Sequence, residues 1–192
     1  INPAAGPVVL FVGKLIARKQ PGLLLEAFAR VRRDHSCALL FVGEGPLEAE
    51  LRRRAATAGI PDVHFAGFLN RTQIARAYAA ADLFVLPSAW HETWGIVVNE
   101  AMTFGLPVIV SDAVGCGPDL VREGENGVVV PRTDAGPLAA ALAALVRDPE
   151  RRRRFGRRSG EIIAGWHPAV AAEGVVRACY AAVRRPGPGG RS

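Results

Sequence analysis

The residues best suited to chemistry lie in two short segments, each of which follows an apolar run. In the first segment, Gly13 is followed within seven residues by the cations Lys14, Arg18 and Lys19. A glycine lets a ligand approach the backbone closely, and ammonium and guanidinium groups bind phosphate oxygens through charge-assisted hydrogen bonds. The segment therefore suits a diphosphate, although the solvated charges of an ordinary loop would give the same pattern.

The second segment, at 87–102, follows an apolar run and leads into a helical pattern that begins near Gly95. The first backbone N–H groups of a helix have no partner within the helix, and the helix dipole makes this end attractive to anions. If both segments lie at the same edge of the fold, an anion between them would contact Lys14 and Lys19 on one side and the helix on the other.

Glu100 lies one helical turn after Ile96 in this second segment. The spacing places it on the helix face that carries Ile96 and Val97, whereas Val98 and Met102 point elsewhere. A carboxylate beside a phosphate site can accept hydrogen bonds from sugar hydroxyls, as acidic residues do in dinucleotide-binding folds. Taken alone, an exposed helical glutamate is usually only a surface residue.

The elements that would position these residues are short apolar runs that alternate with segments of helical periodicity. Such alternation is typical of a parallel sheet with helices on both faces. We therefore predict an α/β fold, with a Rossmann-like, doubly wound parallel sheet of about six strands and extra C-terminal helices. The strands are predicted at 7–12, 38–42, 63–65, 83–86, 107–110 and 127–130. The first helix is predicted from about residue 21 until the chain turns at Asp34. The later helices are predicted at 47–58, 72–80, 95–104, 138–147, 150–163 and 168–183.

Ligands bind open parallel sheets in the crevice beyond the carboxyl ends of the strands. Both segments follow predicted strands, so we expect them at the same edge. A third loop, at 111–119, follows the fifth strand, and its glycines suit either closure over a ligand or a tight turn into a helix, of which we favour the turn. Neither G-x-G-x-x-G nor a Walker phosphate loop occurs in the sequence, which argues against a nicotinamide cofactor or ATP hydrolysis.

The bulk composition fits one globular domain, with 192 residues of which 49% are hydrophobic and 22% charged. No apolar stretch approaches the ~18 to 20 residues that cross a bilayer, and the first residues lack a signal-peptide pattern, so we expect a cytoplasmic protein. Three cysteines and four histidines are scattered, which predicts buried or incidental thiols and no metal site.

The net charge of +6 is concentrated between residues 147 and 158, where seven arginines accompany two acidic residues. An arginine run of this kind is typical of a solvated helix face, and we predict that the chain does not bind nucleic acid. Contact with an anionic membrane surface is the main alternative for this cluster, and would make the protein membrane-associated.

The order of these segments resembles the C-terminal, donor-binding domain of the GT-B, family-4 type (group 1) glycosyltransferases. The resemblance covers about residues 7–150 and includes "FVGKLIARKQPGLLLEAFA", "LLFVGEGPLEAELR" and "VHFAGFLNRTQIARAYAAADLFVLPS". Its most specific element is the E-x7-E motif, formed here by Glu92 and Glu100.

The resemblance implies roles for residues of both segments and of the loop after the third strand. Glu100 would hydrogen-bond the ribose of a nucleotide-sugar donor, and Glu92 would contact hydroxyls of the transferred sugar. Lys14 and Lys19, which follow Gly13, would neutralise the diphosphate. The residues whose backbone the resemblance assigns to the donor are Gly95, Ile96 and Val97 at the diphosphate, and Phe68 and Leu69 at the base.

The resemblance also implies retaining, metal-independent transfer of a hexose-type sugar, with no cofactor and with a UDP- or GDP-linked donor, of which UDP is favoured. We expect residues 1–185 to form the donor domain and 186–192 a disordered tail. The acceptor would bind an N-terminal domain absent from this sequence, so the isolated chain is expected to be inactive. Members of the family often have arginine in place of Lys14, and Gly-Phe-Gly in place of Thr93-Trp94-Gly95, which leaves the sugar open.

Two other functions fit the same residues. One is a stand-alone nucleotide-binding or regulatory module without catalysis. The other is a nucleotide-sugar epimerase or a phosphorylase on the same architecture, because a fold does not fix a function.

Overall fold

Six parallel strands form a single sheet in the computed structural model, which describes residues 6–90, 92–166 and 168–184. The strands are β1 (Val8–Val12), β2 (Ala38–Val42), β3 (Val63–Phe65), β4 (Leu83–Leu86), β5 (Val108–Ser111) and β6 (Gly127–Val130). They lie in the order β3-β2-β1-β4-β5-β6, and every neighbouring pair is parallel. The predicted Rossmann-like fold class is confirmed.

Eight α-helices connect or follow the strands in the described ranges. They are α1 (Pro21–Arg32), α2 (Glu48–Thr57), α3 (Arg71–Ala79), α4 (Ile96–Thr103), α5 (Gly117–Leu120), α6 (Ala135–Arg147), α7 (Pro149–Ala164) and α8 (Pro168–Arg184). Helix α6 begins three residues before the predicted start, because the Asp134 side chain accepts the Gly136 N–H at 2.7 Å and caps the first turn. The apolar periodicity becomes visible only at Leu138. The predicted disordered tail lies outside the described residues.

The strands are apolar on both sides because helices cover both faces of the sheet. On β1, Val9 and Phe11 face the core formed with α1 and α6. Leu10 and Val12 face the other core, which includes the buried residues of α3 and α4. Strands buried on two faces read as continuous apolar runs, which is the pattern from which they were predicted.

The strand order creates a crevice between β1 and β4. After β1 the chain builds the sheet outward through β2 and β3, and it returns at β4 to build the other half. The loops that follow β1 and β4 therefore diverge at the carboxyl edge, which is where open parallel sheets bind ligands. A hydrogen bond of 2.8 Å from the Ala89 N–H to the Arg18 carbonyl oxygen joins these two loops.

The arginines of α7 make mostly local contacts. Arg152 donates to the carbonyl oxygens of Leu145 and Val146 at 2.6 and 2.7 Å, and thereby caps the end of α6. Arg158 pairs with glutamates 125 and 161, both at 3.0 Å. The guanidinium groups of Arg151 and Arg154 lie 5.0 and 5.7 Å from the Phe155 ring centre. These contacts agree with the predicted solvated helix face.

Gly160→Ala is expected to raise the free energy of unfolding by about 0.5–1 kcal/mol, because alanine loses less backbone entropy in a helix. A Cβ at Gly160 of α7 would meet no atom within 4 Å. The matched control is Gly156→Ala on the same helix, whose Cβ would lie 2.1 Å from the Gly105 carbonyl oxygen. Urea unfolding should show stabilisation for the first variant and destabilisation for the second. If both variants changed the free energy of unfolding equally, α7 would not be packed closely against the loop at Gly105.

Candidate functional site

A cleft of about 750 Å³ opens beside the carboxyl ends of β1 and β2. Its walls include four residues that the sequence analysis singled out, namely Gly13, Lys14, Phe68 and Leu69. The remaining lining is mostly apolar and comes from Val12, Ile16, Val42, Gly43, Glu44, Gly45, Pro46 and Ile74. The volume and the apolar lining with few charged groups are typical of a small-molecule site.

Two glycines let the loops after β1 and β2 meet backbone to backbone in this cleft. Gly43 has a φ of +122°, and a Cβ there would lie 2.1 Å from the carbonyl oxygen of Gly13. At Gly45 a Cβ would lie 2.4 Å from the carbonyl oxygen of Leu15. Since no side chain fits at either position, this wall of the cleft is bare backbone.

Glu44 is a cleft residue that was not singled out from the sequence. Its carboxylate accepts the Phe68 N–H at 3.2 Å, while the Gly43 N–H donates to the Gly67 carbonyl oxygen at 2.8 Å. These bonds fasten the loop after β3 to the loop after β2, and leave the Phe68 side chain 72% exposed. Glu44 lies on the loop that follows the buried strand β2, and this position was a signal that could have marked it as a site residue.

Lys19 and Glu92 form an ion pair at the crevice between β1 and β4. Both side chains are largely buried, with 13% and 11% of their surface exposed. The hydroxyl of the buried Ser88 donates to the same carboxylate at 3.0 Å. The structure thus brings together two residues that were expected to contact different parts of one ligand, Lys19 the diphosphate and Glu92 the transferred sugar. Ser88 itself was not predicted.

The loop after β5 supports the loop that carries Glu92. The Gly115 N–H donates to the Glu92 carbonyl oxygen at 2.9 Å, and the Cys116 N–H donates to the Trp94 carbonyl oxygen at the same distance. A Cβ at Gly115 would lie 2.0 Å from the Thr93 carbonyl oxygen. The preferred structural interpretation of the third loop is therefore confirmed, since its glycines allow close packing and a turn into α5.

Helix α4 begins at the same edge with its backbone donors uncapped. Gly95 precedes it with a φ of +94°, and no side chain in the described part of the chain caps this end. A Cβ at Gly95 would lie 3.0 Å from a Val114 methyl carbon and 3.1 Å from a Leu86 methyl carbon. The first N–H groups, at Ile96 and Val97, are therefore available to an anion in the crevice.

Glu100 lies exposed on α4, as the spacing predicts, while Val98 and Met102 are fully buried. Its carboxylate accepts a hydrogen bond of 2.7 Å from the hydroxyl of Tyr78, a residue that the sequence analysis did not single out. Burial, and next the hydrogen bond to Glu100, raise the pKa of Tyr78 well above its ordinary value. The phenol therefore stays protonated and remains a donor.

The described residues include no group of three or more histidine, cysteine or acidic side chains arranged to hold a metal ion. Cys37 and Cys116 are buried, and burial raises the pKa of their thiols to about 11 and about 12 respectively. The prediction of buried thiols is confirmed for these two cysteines, whereas Cys179 is exposed. Within the same ranges, no helix is both long and apolar enough to cross a membrane.

Residues 2–161 match the family model described as "Glycosyl transferases group 1". The chain is similar to the D-inositol 3-phosphate glycosyltransferase of Nocardia farcinica, with 37% identity over 187 residues that cover 92% of this chain and 41% of that protein. The chain spans less than half the length of the curated relatives that it matches.

Two solved structures extend the similarity to the fold. Sucrose-phosphate synthase from Thermosynechococcus elongatus is 33% identical with a TM-score of 0.78, over 94% of this chain and 47% of that one. HepE of Anabaena, solved in complex with UDP and glucose, is 24% identical with a TM-score of 0.80, over 93% of this chain and 49% of that one. The second similarity concerns the fold alone.

Proposed function

Because the chain belongs to the group 1 glycosyltransferase family, we propose that it is a donor-binding domain that takes a nucleoside-diphosphate sugar. The observation that carries the proposal is the convergence of charged groups at one edge of the sheet. Lys14 and Lys19 lie on the loop after β1, and the uncapped start of α4 lies across the crevice. The UDP bound by HepE of Anabaena, which has the same fold, supports a nucleoside diphosphate as the ligand.

The cleft and the crevice suit successive parts of such a donor. We assign the base to the backbone at Phe68 and Leu69, beside the apolar wall of the cleft. Ile74 of α3 lines this wall, and Tyr78, one helical turn later, contacts Glu100. The wall therefore leads from the base toward the carboxylate that we assign to the ribose.

The ion pair between Lys19 and Glu92 places the predicted diphosphate cation beside the predicted sugar carboxylate. This proximity supports the assignment, because the bond that breaks joins the diphosphate to the anomeric carbon of the sugar. A hexose offers several hydroxyl donors to Glu92. We propose that the diphosphate lies between Lys14, Lys19 and the first amides of α4.

In the proposed reaction the bond between the anomeric carbon and the diphosphate oxygen breaks. The acceptor hydroxyl oxygen forms a bond to the same carbon with retained configuration, and the hydroxyl proton passes to the departing diphosphate. Negative charge grows on the leaving diphosphate as its bond breaks. Lys14, Lys19 and the dipole of α4 would stabilise this charge and so supply the role that a metal ion has in other transferases.

We propose that residues outside this sequence bind the acceptor, since the matched relatives are more than twice as long as the region they share with this chain. Closure of two domains would complete the site, so the chain alone should bind donor weakly and transfer nothing. A regulatory module, an epimerase or a phosphorylase would use the same cleft, but would not give a glycosylated acceptor when full-length protein is supplied with donor.

Thermal unfolding of the chain with UDP, GDP and ADP, with and without attached sugars, tests the proposal. A ligand at ~100 times its Kd adds about 2.7 kcal/mol of stability, which corresponds to a rise in Tm of roughly 5–10 °C for this size. Glu100→Ala should abolish the shift, because the ribose hydroxyls lose their acceptor. The matched control is Glu26→Ala, an exposed glutamate of α1 that pairs with Arg30.

A shift with one diphosphate that Glu26→Ala keeps and Glu100→Ala loses would support the donor site and identify the base. Equal shifts in wild type and Glu100→Ala would place the ligand elsewhere. If the chain gives no shift at millimolar ligand, the panel is repeated on the full-length protein. Failure there would contradict the proposal.

A further inference from the structure

One buried phenol outside the cleft reaches the functional edge of the sheet. Tyr78 of α3 is 1% exposed, and its ring stacks on Phe104 with 5.4 Å between ring centres and 17° between ring planes. The ring of Phe84 lies 6.2 Å away. Contacts from β4 and from the end of α4 therefore fix the position of the phenol, and its hydroxyl is held in one direction.

The Tyr78 hydroxyl donates to Oε2 of Glu100 at 2.7 Å. The same hydroxyl lies 3.5 Å from the Val97 carbonyl oxygen. Glu100 is exposed and has no ion-pair partner in the described ranges. An unrestrained glutamate on a helix surface samples several rotamers, so it pays an entropic cost when a ligand fixes it. The bond from Tyr78 selects one rotamer in advance.

We propose that Tyr78 is the positioning residue for Glu100, holding Oε2 so that Oε1 accepts a hydrogen bond from a ribose hydroxyl of the donor. The inference rests on the proposed function, since it assumes that Glu100 meets ribose. Tyr78 does not touch the ligand and acts through the carboxylate alone. The competing interpretation is that the bond only ties α3 to α4, in which case any effect of its loss would not depend on the ribose.

Tyr78→Phe keeps the ring and its packing and removes only the hydroxyl. The experiment measures the Kd of UDP and of 2′,3′-dideoxy-UDP by calorimetry, with GDP and its dideoxy analogue used instead if GDP gives the larger thermal shift. We expect Tyr78→Phe to weaken UDP binding roughly 5- to 20-fold, because a hydrogen bond to a charged group and a preset rotamer are lost. Binding of the dideoxy analogue should change less than about twofold, since it lacks the hydroxyls that Glu100 meets.

A double variant and a matched control complete the test. In the Glu100→Ala background, whose remaining UDP affinity is measured at higher ligand concentrations, adding Tyr78→Phe should weaken UDP binding no further, because the hydroxyl then has no carboxylate to position. Tyr180→Phe removes the hydroxyl of an exposed tyrosine on α8 and should leave both Kd values unchanged.

An unchanged Kd of UDP in Tyr78→Phe overturns the inference while leaving the donor site intact. Equal weakening for UDP and the dideoxy analogue also overturns it, and makes the bond a purely structural tie. If none of UDP, GDP and ADP binds the wild-type protein, the proposed function fails, and the inference fails with it.

Discussion

Lys19→Ala in the full-length protein is expected to lower the rate of nucleoside-diphosphate release from the nucleotide sugar ~100- to 1,000-fold. This is the usual loss when one preorganised charge-stabilising donor is removed from a transition state. Lys19 is largely buried at the crevice, where electrostatic interactions are stronger than in water. A coupled assay for the released diphosphate measures the effect, with kcat and KM determined separately.

The ion pair with Glu92 requires a control for stability. Lys19→Ala removes the cation that is paired with a largely buried carboxylate, which should lower the Tm. The double variant Lys19→Ala/Glu92→Gln removes both charges, so it should recover Tm without recovering activity. Arg30→Ala, which breaks an exposed ion pair on α1, should retain full activity. Activity within about threefold of wild type in Lys19→Ala would contradict the role in catalysis.

Gly43→Ala is expected to lower the free energy of unfolding by about 3 kcal/mol and to abolish ligand-induced stabilisation. The cause is steric as well as torsional, since the new Cβ would lie 2.1 Å from the Gly13 carbonyl oxygen and the φ of Gly43 is +122°. The loops after β1 and β2 must then separate, which moves Gly13 and Lys14 out of the cleft wall. Urea unfolding with and without UDP measures both effects.

Gly59→Ala is the matched control for this prediction. Gly59 also has a positive φ, of +58°, but a Cβ there would meet no atom within 4 Å. Gly59→Ala should therefore lower the free energy of unfolding only by the torsional cost, which is about 1 kcal/mol, and UDP should stabilise this variant as it stabilises wild type. If the two alanine variants lose the same stability, the close approach of the two loops does not constrain the cleft.

The fold could be predicted because its signal is local. Strands buried on both faces appear as apolar runs, and the runs at Ala38–Val42, Leu83–Leu86 and Gly127–Val130 coincide with β2, β4 and β6. The predicted strand starts are wrong where the apolar run begins with a proline, and the fifth strand also ends one residue later than predicted, at Ser111. The runs at 7–12 and 107–110 begin with Pro7 and Pro107, whereas β1 and β5 begin one residue later, because proline has no N–H to donate to a neighbouring strand.

The site could be predicted only as a set of loops. The sheet rule places Gly13, Lys19 and Gly95 at one edge, since each lies just beyond the carboxyl end of a strand or on the loop that follows one. Side-chain partners are different, because they are separated along the chain. Lys19 and Glu92 are 73 residues apart, and the bonds from Tyr78 to Glu100 and from Phe68 to Glu44 span 22 and 24 residues. Such pairs depend on how helices and loops pack, which one sequence does not reveal.

Backbone amide NMR during titration with UDP tests whether a nucleoside diphosphate binds across the crevice between β1 and β4. We expect saturable shifts of the amides of Gly13, Phe68, Gly95 and Ile96, with little change on α7. Shifts concentrated on the arginine cluster at 151–158, with none at the loops after β1 and β4, would contradict it, because they would show binding of the phosphates to surface charge rather than to the cleft.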